Sequence, residues 1–346
     1  MNQPIGASKP AVPPLVELLQ REFTGTALER LLGLEDVRVP ADIWEQALLG
    51  PAREFLERPG KAFRARLVRT SWQLAGGSGT PPPTLPLLVE LLHAGSLIVD
   101  DIEDGSTHRR GAPALHHLHG IPLALNTGNW LYFAPMALLS RMGLSEELEL
   151  ALTRRTISTL LRCHQGQALD LAVRVSDLSQ KDLPDVVLAS TRLKTGVLME
   201  YAAHVGAIAS GAAETTVEAL GHFGMELGLG LQMLDDLGNL VSDRTGPKQF
   251  EDLRLGRPTW PWAWLAGDLP AERFDALVSL SREVIAGQRE VGELATAMRL
   301  ALGRRGGERA HRHLEGALNR LRESIGPCAD LEALSEDIAR MEASYV

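Results

Sequence analysis

Cysteine is almost missing from this chain: Cys163 and Cys328 are the only two among 346 residues. Two thiols cannot staple a disulfide scaffold, and their scarcity points to a reducing, cytoplasmic setting. Aromatic residues make up only 5%. With Leu and Ala abundant instead, that favours helix-on-helix packing. Strand-like alternation is nearly absent as well. There is no surplus of positive charge: 35 Lys and Arg stand against 44 Asp and Glu, a net charge of −9. That excludes a basic field able to draw in nucleic acid or an anionic membrane. No apolar run is long enough for a transmembrane segment. The richest, TLPLLVELLHAGSLIV (84–99), is broken by Glu90 and His93 and runs straight into Asp100, so it reads as a buried helix. The opening MNQPIGASKPAVPPL lacks a basic start and an apolar core, which predicts a mobile, Pro-containing arm over residues 1–14 in place of a targeting signal.

What the chain does have is helical periodicity. Apolar-patterned segments run through 84–104, 121–141, 146–173, 180–209, 214–242, 258–266, 270–288 and 308–324. Short breakers separate them, such as GGSGTPPP (76–83), GSTHRRGAP (105–113) and SDRTGPK (242–248). With no dividing linker and no internal repeat, the expectation is one all-α domain over 15–346.

Two of these helices end in acid. On the first, His93, Asp100 and Asp104 are seven and eleven residues apart and share one stripe, with Asp101 and Glu103 beside them. On the second, GLQMLDDLGNL (230–240), Gln232, Asp235, Asp236 and Asn239 share a face. Solvated helix ends are the plainer explanation of either cluster alone. Both, however, follow runs that read as buried, where two unit charges about 5 Å apart repel by roughly 3 kcal/mol at an effective dielectric near 20. A cation must offset that. Oxygen ligands without Cys or His partners point to Mg²⁺. Arg109 and Arg110 follow the first cluster, suited to gripping the free oxygens of a metal-bound diphosphate with forked hydrogen bonds. Further cations stand beside glycines or helix breaks: Lys61 and Arg64 after Pro59-Gly60 and on one helical turn, Lys194 with Thr195 before Gly196, Lys248 on a Gly-Pro loop, and Arg257 next to Gly256.

These residues carry a resemblance. LLHAGSLIVDDIEDGSTHRRGAPALHHLHGIPLALNTGNWLYF (91–133) resembles the first aspartate-rich region of the trans-isoprenyl diphosphate synthases. CHQGQALDL (163–171), LKTG (193–196), LQMLDDLGN (231–239) and KQFEDLRLGRPTWP (248–261) resemble the later motifs of that family in the same order, and the likeness covers about residues 55 to 262. The RRGAPALHHLHG stretch and a second cluster of the form DDxxN are most similar to geranylgeranyl diphosphate synthases of the eukaryotic kind. The resemblance implies an all-α isoprenoid synthase fold whose helices surround a deep central cavity, and a homodimer. It also implies three Mg²⁺ ions per active site, two held by Asp100 and Asp104 and one by Asp235. Asp101, Asp170, Asp236, Asn239 and Asp252 would form an acidic surround. Arg109, Lys194, Thr195, Gln232, Lys248 and Arg257 would bind the allylic diphosphate, and Lys61, Arg64, His93 and Arg110 isopentenyl diphosphate. The catalytic set is then Asp100, Asp104, Arg109, Lys194, Asp235 and Lys248. Arg257 stands where many relatives carry lysine, and Asn239 where the commoner motif has aspartate.

The expected reaction condenses isopentenyl diphosphate with an allylic diphosphate. The chain grows down the first acidic helix, where Gly95 and Ser96, one turn before Asp100, leave the path open, so a C20 product is expected. Trp130 or Phe133 are candidates for a floor further down. Two rivals are weighed. A terpene cyclase would ionise a prenyl diphosphate on the same scaffold without needing Lys61, Arg64 and Arg110, and a regulatory partner subunit would be expected to have lost an acidic cluster. HHLHG (116–120) has no third ligand for zinc, and the basic run 303–316 is interleaved with Glu308 and Glu315.

Overall fold

The computed structural model describes residues 13–31, 33, 36–60, 62–241 and 249–343. Most of the predicted arm, residues 1–12, lies outside the described residues, and Pro14 already opens the first helix. The chain falls into two compact units, Met1–Arg66 with Pro82–Glu149, and Leu67–Pro81 with Leu150–Val346.

The first unit carries α1 (Pro14–Glu22), α2 (Gly25–Leu31), α3 (Ala41–Trp44), a five-residue π-helical stretch, and α4 (Gly50–Leu56). The first turn of α5 (Phe63–Leu74) also belongs to it. Its centre is α6 (Leu85–Glu103) packed along α7 (Leu115–Leu139). α6 buries Leu85, Leu88, Leu91, Leu92 and Ile98, which are 0–2% exposed. At roughly 25 cal/mol per Å² of apolar surface, each such side chain stabilises the unit by about 2 kcal/mol. The crossing with α7 is set by two glycines. A Cβ on Gly95 would stand 2.7 Å from the Gly128 carbonyl oxygen, and one on Gly128 2.9 Å from Val99. Gly95 therefore serves the approach of two backbones, which corrects its expected place in the chain-length path.

Between α6 and α7 the sequence was expected to break without regular structure. Instead β1 (His108–Arg109) and β2 (Ala112–Pro113) pair antiparallel in a minimal hairpin. Its two central residues, Arg110 (φ 54°) and Gly111 (φ 79°), both lie in the left-handed region, as a type I′ turn requires. Within α7, Gly120 is non-helical and kinks the run.

The second unit holds α8 (Glu146–Ala172), α9 (Leu183–Thr191), α10 (Val197–Ala209), α11 (Glu214–Val241), α12 (Glu251–Leu255), α13 (Trp260–Asp268), α14 (Ala271–Ile285), α15 (Val291–Leu302), α16 (Arg305–Ile325) and α17 (Ala329–Ala343). α10 is buried along nearly its whole length and packs on α11, which packs in turn on α16. Where one helix was expected over 180–209, α9 and α10 are joined by a π-helical turn, Arg192–Gly196, that displaces the register at LKTG. Such one-residue expansions recur at functional sites. Among the described residues, regular structure is helical apart from the hairpin, as an all-α class requires. No helix among them is long and apolar enough to cross a membrane.

Candidate active site

In the first unit, the end of α6 sorts its carboxylates by depth. Asp101 is 1% exposed, Asp100 and Asp104 are half-buried, and Glu103 faces solvent. The hairpin brings Arg109 back onto them: its Nε donates to Asp101 Oδ1 at 2.8 Å, and its Nη2 to Asp100 Oδ2 at 3.2 Å. Arg109 thus pins the acidic helix end, while Asp101 Oδ2 is buried with no hydrogen-bond partner.

Two turns back on the same stripe sits His93. Burial, and next the positive charges of Arg64, Arg110 and Arg109, hold its imidazole well below the usual histidine value. It is a neutral ring among cations. Arg110 reaches this group because its strained backbone turns it toward Gly60. A Cβ there would lie 3.2 Å from the guanidinium carbon, so the side-chain-free Gly60 makes room for it. Arg64, Arg110 and His93, the predicted isopentenyl diphosphate set, therefore come together in one unit, whereas Lys61 lies outside the described residues.

Two members of this group were missed. Glu90 accepts the first-turn amide of Ala65 at 3.0 Å, capping α5, and its charge opposes the downward pull of burial on Arg110. A glutamate inside the most apolar run of the chain was the available signal. Arg58 is 8% exposed, lies 5.1 Å from the Phe55 ring centroid, and donates from Nη1 to the Arg109 carbonyl at 3.4 Å. Its signal was an arginine directly before Pro59-Gly60.

The second acidic cluster sits in the second unit and is organised differently. Asp235 is exposed and Asp236 is 8% exposed, so adjacent aspartates point opposite ways. A relay of hydrogen bonds runs inward: Thr195 Oγ1 donates to Gln232 Oε1 at 2.8 Å, and Gln232 Nε2 donates to Asp236 Oδ1 at 2.7 Å. Asp236 Oδ2 accepts the Trp260 amide at 2.9 Å. Asp236 thereby satisfies an open N–H at the start of α13. Burial, then the charge of Asp252, push its carboxyl well above the usual aspartate value. Asp252 is itself pushed up to about 6 by burial, with Asp170, Glu251 and Asp235 adding to the effect against Arg257. Asn239, Asp236 and Asp252 line one small pocket.

Lys194 projects from the π turn and ion-pairs with Asp170 at 2.7 Å. Arg257 approaches Asp170 and Asp252 more loosely, at 3.7 and 3.9 Å. Gly166 permits this seat, since a Cβ on it would lie 2.5 Å from the Lys194 amide nitrogen. Lys248 lies outside the described residues. Among the described residues, no three His, Cys, Asp or Glu side chains converge as a ready-made metal site. The donor chemistry nonetheless suits Mg²⁺. The buried Asp101 oxygen has no partner, and the second cluster holds carboxylates whose ionisation is disfavoured until a cation arrives.

Trp130, a candidate floor, packs edge-on against Phe23 at 4.9 Å, and Phe133 is 62% exposed, so Phe133 faces outward and closes no path in its own unit. His119 bonds Glu54 at 2.7 Å and His116 stacks on His117, which leaves no His pair set for zinc.

The family model described as polyprenyl synthetase matches residues 45–283. The chain belongs to the polyprenyl synthetase family. It is 31% identical over 299 residues to the (2E,6E)-farnesyl diphosphate synthase of Mycobacterium bovis, covering 82% of this chain and 80% of that one. It is 30% identical over 220 residues to the geranylfarnesyl diphosphate synthase of Aeropyrum pernix, covering 61% of this chain and 68% of the relative. Its fold matches the Corynebacterium glutamicum geranylgeranyl pyrophosphate synthase, a structure complexed with isoprenyl diphosphate and magnesium. The TM-score is 0.76 at 20% identity, over 97% of this chain and all of that one. Membership makes this chain a trans-prenyltransferase, with the all-α isoprenoid synthase fold.

Proposed function

We propose that this family member condenses isopentenyl diphosphate with an allylic diphosphate to give linear geranylgeranyl diphosphate, C20. The observation that carries the reading is the gathering of Arg64, Arg110 and neutral His93 in one unit, since a cyclase has no isopentenyl diphosphate to hold. Both acidic clusters are intact, which counts against a regulatory subunit.

Mg²⁺, three ions in this reading, is held by Asp100, Asp104 and Asp235; when bound it supplies charge that stabilises the departing diphosphate. Arg109, Lys194, Thr195, Gln232, Lys248 and Arg257 bind the allylic diphosphate oxygens. Arg109 and Lys194 are already oriented by Asp100, Asp101 and Asp170, so little reorganisation is needed as charge develops on the leaving group. Lys61, Arg64, His93 and Arg110 place the isopentenyl double bond against the allylic carbon. The allylic C–O bond breaks, the isopentenyl π pair forms the new C–C bond, and a proton leaves C2 for the released diphosphate. No side-chain base is required, and an apolar path for the growing chain would keep water from the cation.

Elongation follows α6 past Ser96, whose hydroxyl donates to the His93 carbonyl at 2.9 Å and is only half-buried. A homodimer is part of this reading. α7 exposes Leu118, Ile121, Leu125 and Phe133, 38–62% open, a face suited to a second copy. Cysteine is scarce, with Cys163 and Cys328 the only two in the sequence, which fits a cytoplasmic setting.

The test is to incubate the purified chain with Mg²⁺, isopentenyl diphosphate and C5, C10 or C15 allylic diphosphates. Linear C20 product is expected. Cyclic hydrocarbon formed without isopentenyl diphosphate would overturn the reading. Ser96→Phe should cap the product at C15, and an unchanged length would remove Ser96 from the path.

A further inference from the structure

The isopentenyl diphosphate set of the proposed function leaves one enclosed cation unused. Arg58 lies just beyond the end of α4, nine-tenths buried. Buried guanidinium groups are costly unless every donor is satisfied, and a lost partner to a charged group costs more than to a neutral one. One amino group, Nη1, reaches the Arg109 carbonyl at 3.4 Å, while the other, Nη2, is buried with no partner.

Its surroundings are those of an anion site. The Arg58 and Arg110 guanidinium carbons lie 5.1 and 5.7 Å from the centroid of the same Phe55 ring. Arg110 in turn acts electrostatically on His93, as Arg64 and Arg109 do. Three arginines thus act on a histidine kept neutral, and Arg58 adjoins one of them, Arg110. Two carboxylates, Glu54 and Asp101, also act on Arg58, but neither hydrogen-bonds it: Glu54 bonds His119, Arg109 holds Asp101 Oδ1, and Glu90 caps α5. Phe55 is 0% exposed and gives both guanidinium groups a rigid apolar face to lie on.

We propose that Arg58 is a further ligand of the isopentenyl diphosphate group, its free Nη2 donating to a phosphate oxygen while Nη1 anchors the hairpin that presents Arg110. This rests on the condensation reading above. Arginine suits such a double duty because its fork is planar and fixed, and lysine cannot bridge a carbonyl and a phosphate from one rigid plane.

The experiment compares wild type, Arg58→Met and Arg58→Lys by steady-state kinetics with each substrate varied in turn, alongside thermal unfolding of each variant. Binding of the unreactive thiolo analogue of isopentenyl diphosphate is followed by calorimetry. Arg58→Met should raise the isopentenyl diphosphate KM about tenfold or more. The KM for the allylic substrate should stay within about twofold, and the analogue's affinity should fall in parallel. Arg58→Lys should recover part of the loss. If the two KM values rise together, or the melting temperature falls and the analogue still binds as to wild type, Arg58 is only a brace for β1 and the proposal fails. An unchanged isopentenyl diphosphate KM in a folded Arg58→Met overturns it while leaving the condensation reading intact. A wild type that makes no product with isopentenyl diphosphate, yet binds the analogue more weakly when Arg58 is replaced, would overturn the condensation reading and leave the anion site standing.

Discussion

The acid-tipped ends of α6 and α11 look alike in sequence and are built on opposite electrostatic plans. At α6 the negative charge meets positive charge from its own unit: Arg109 holds Asp100 and Asp101, and Arg58, Arg64 and Arg110 stand behind it. At α11 the deep carboxylate is held by neutral donors, the Gln232 amide and the Trp260 N–H, and its charged neighbour Asp252 is an acid. The first plan pairs carboxylates with an arginine and so aligns the cation before any ligand arrives. The second leaves a deficit of positive charge that a metal ion would fill. Similar letters, DDIED and DDLGN, therefore conceal one cluster braced by an arginine of its own unit and one whose deep carboxylate is braced by neutral donors.

The largest effect should come from neutralising the proposed metal-holding aspartate of each cluster that is not deeply buried. Asp100→Asn and Asp235→Asn should each lower kcat by roughly 10³-fold in a Mg²⁺-supported product assay, because stabilisation of the leaving diphosphate is lost where charge develops. If Asp235→Asn retained near wild-type turnover, the second cluster would be structural throughout and the two ends would not be functional equivalents.

Depth then separates neighbours. Asp236→Asn turns one of two acceptors into a donor facing the Trp260 amide or the Gln232 amide, and should cost about 1–3 kcal/mol in urea unfolding. Asp235→Asn, on the solvent side of the same turn, should change stability by about 0.5 kcal/mol or less. Equal costs would erase the division between the inward and outward aspartate. A smaller effect tests what positions the first cluster. Gly95→Ala places a methyl 2.7 Å from the Gly128 carbonyl and should destabilise by about 1–3 kcal/mol, whereas Ser96→Ala on the open side should be close to neutral.

Much of this was readable beforehand, and the exceptions share a cause. Four long helices, α6, α8, α11 and α16, fell within about three residues of their expected limits because an apolar stripe of period 3.6 is a property of the segment alone, whereas α7 begins six residues earlier than expected and α15 and α17 were not foreseen. Asp100, Asp104, Arg64 and His93 could be grouped because helical spacing is local or because the family likeness carried them. Three features were hidden because they depend on what the chain meets after folding. The π turn at LKTG reads as ordinary helix until Gly166 and Asp170 are placed against it. The hairpin reads as a breaker because two-residue strands have no periodicity, and its turn puts the non-glycine Arg110 at positive φ. Asp101 and Asp236 look like spare members of acidic runs, and only burial reveals that they are the fixed ones. Gly95 misled for the same reason: a small residue one turn before Asp100 opens a path or admits a neighbouring helix, and only the Gly128 contact decides.

The smallest predicted effect is the one that sets the two regions against each other by sign. Asp252 titrates at about 6 in the folded chain against an ordinary value of 3.8, and Asp236 is shifted the same way. A folded value raised above the unfolded one gives stability that is complete below pH 4 and is lost as pH rises through about 6 and beyond. His93 behaves oppositely. Its folded value lies well below 6.5, so its contribution is present above that pH and is lost as pH falls. His204 in the second unit, pushed down to about 4 by burial, adds an acid loss of its own, so the comparison is read from differences between variants. In EDTA, the melting temperature of Asp252→Asn minus that of wild type should grow from pH 5 to pH 8, while the difference for His93→Gln should grow from pH 7 down to pH 5. Saturating Mg²⁺ should flatten the first difference and leave the second, because a cation at α11 removes the cost of ionising Asp252 and does nothing for a neutral imidazole among arginines. Differences that ran in the same direction for both variants would mean that one electrostatic plan serves both ends.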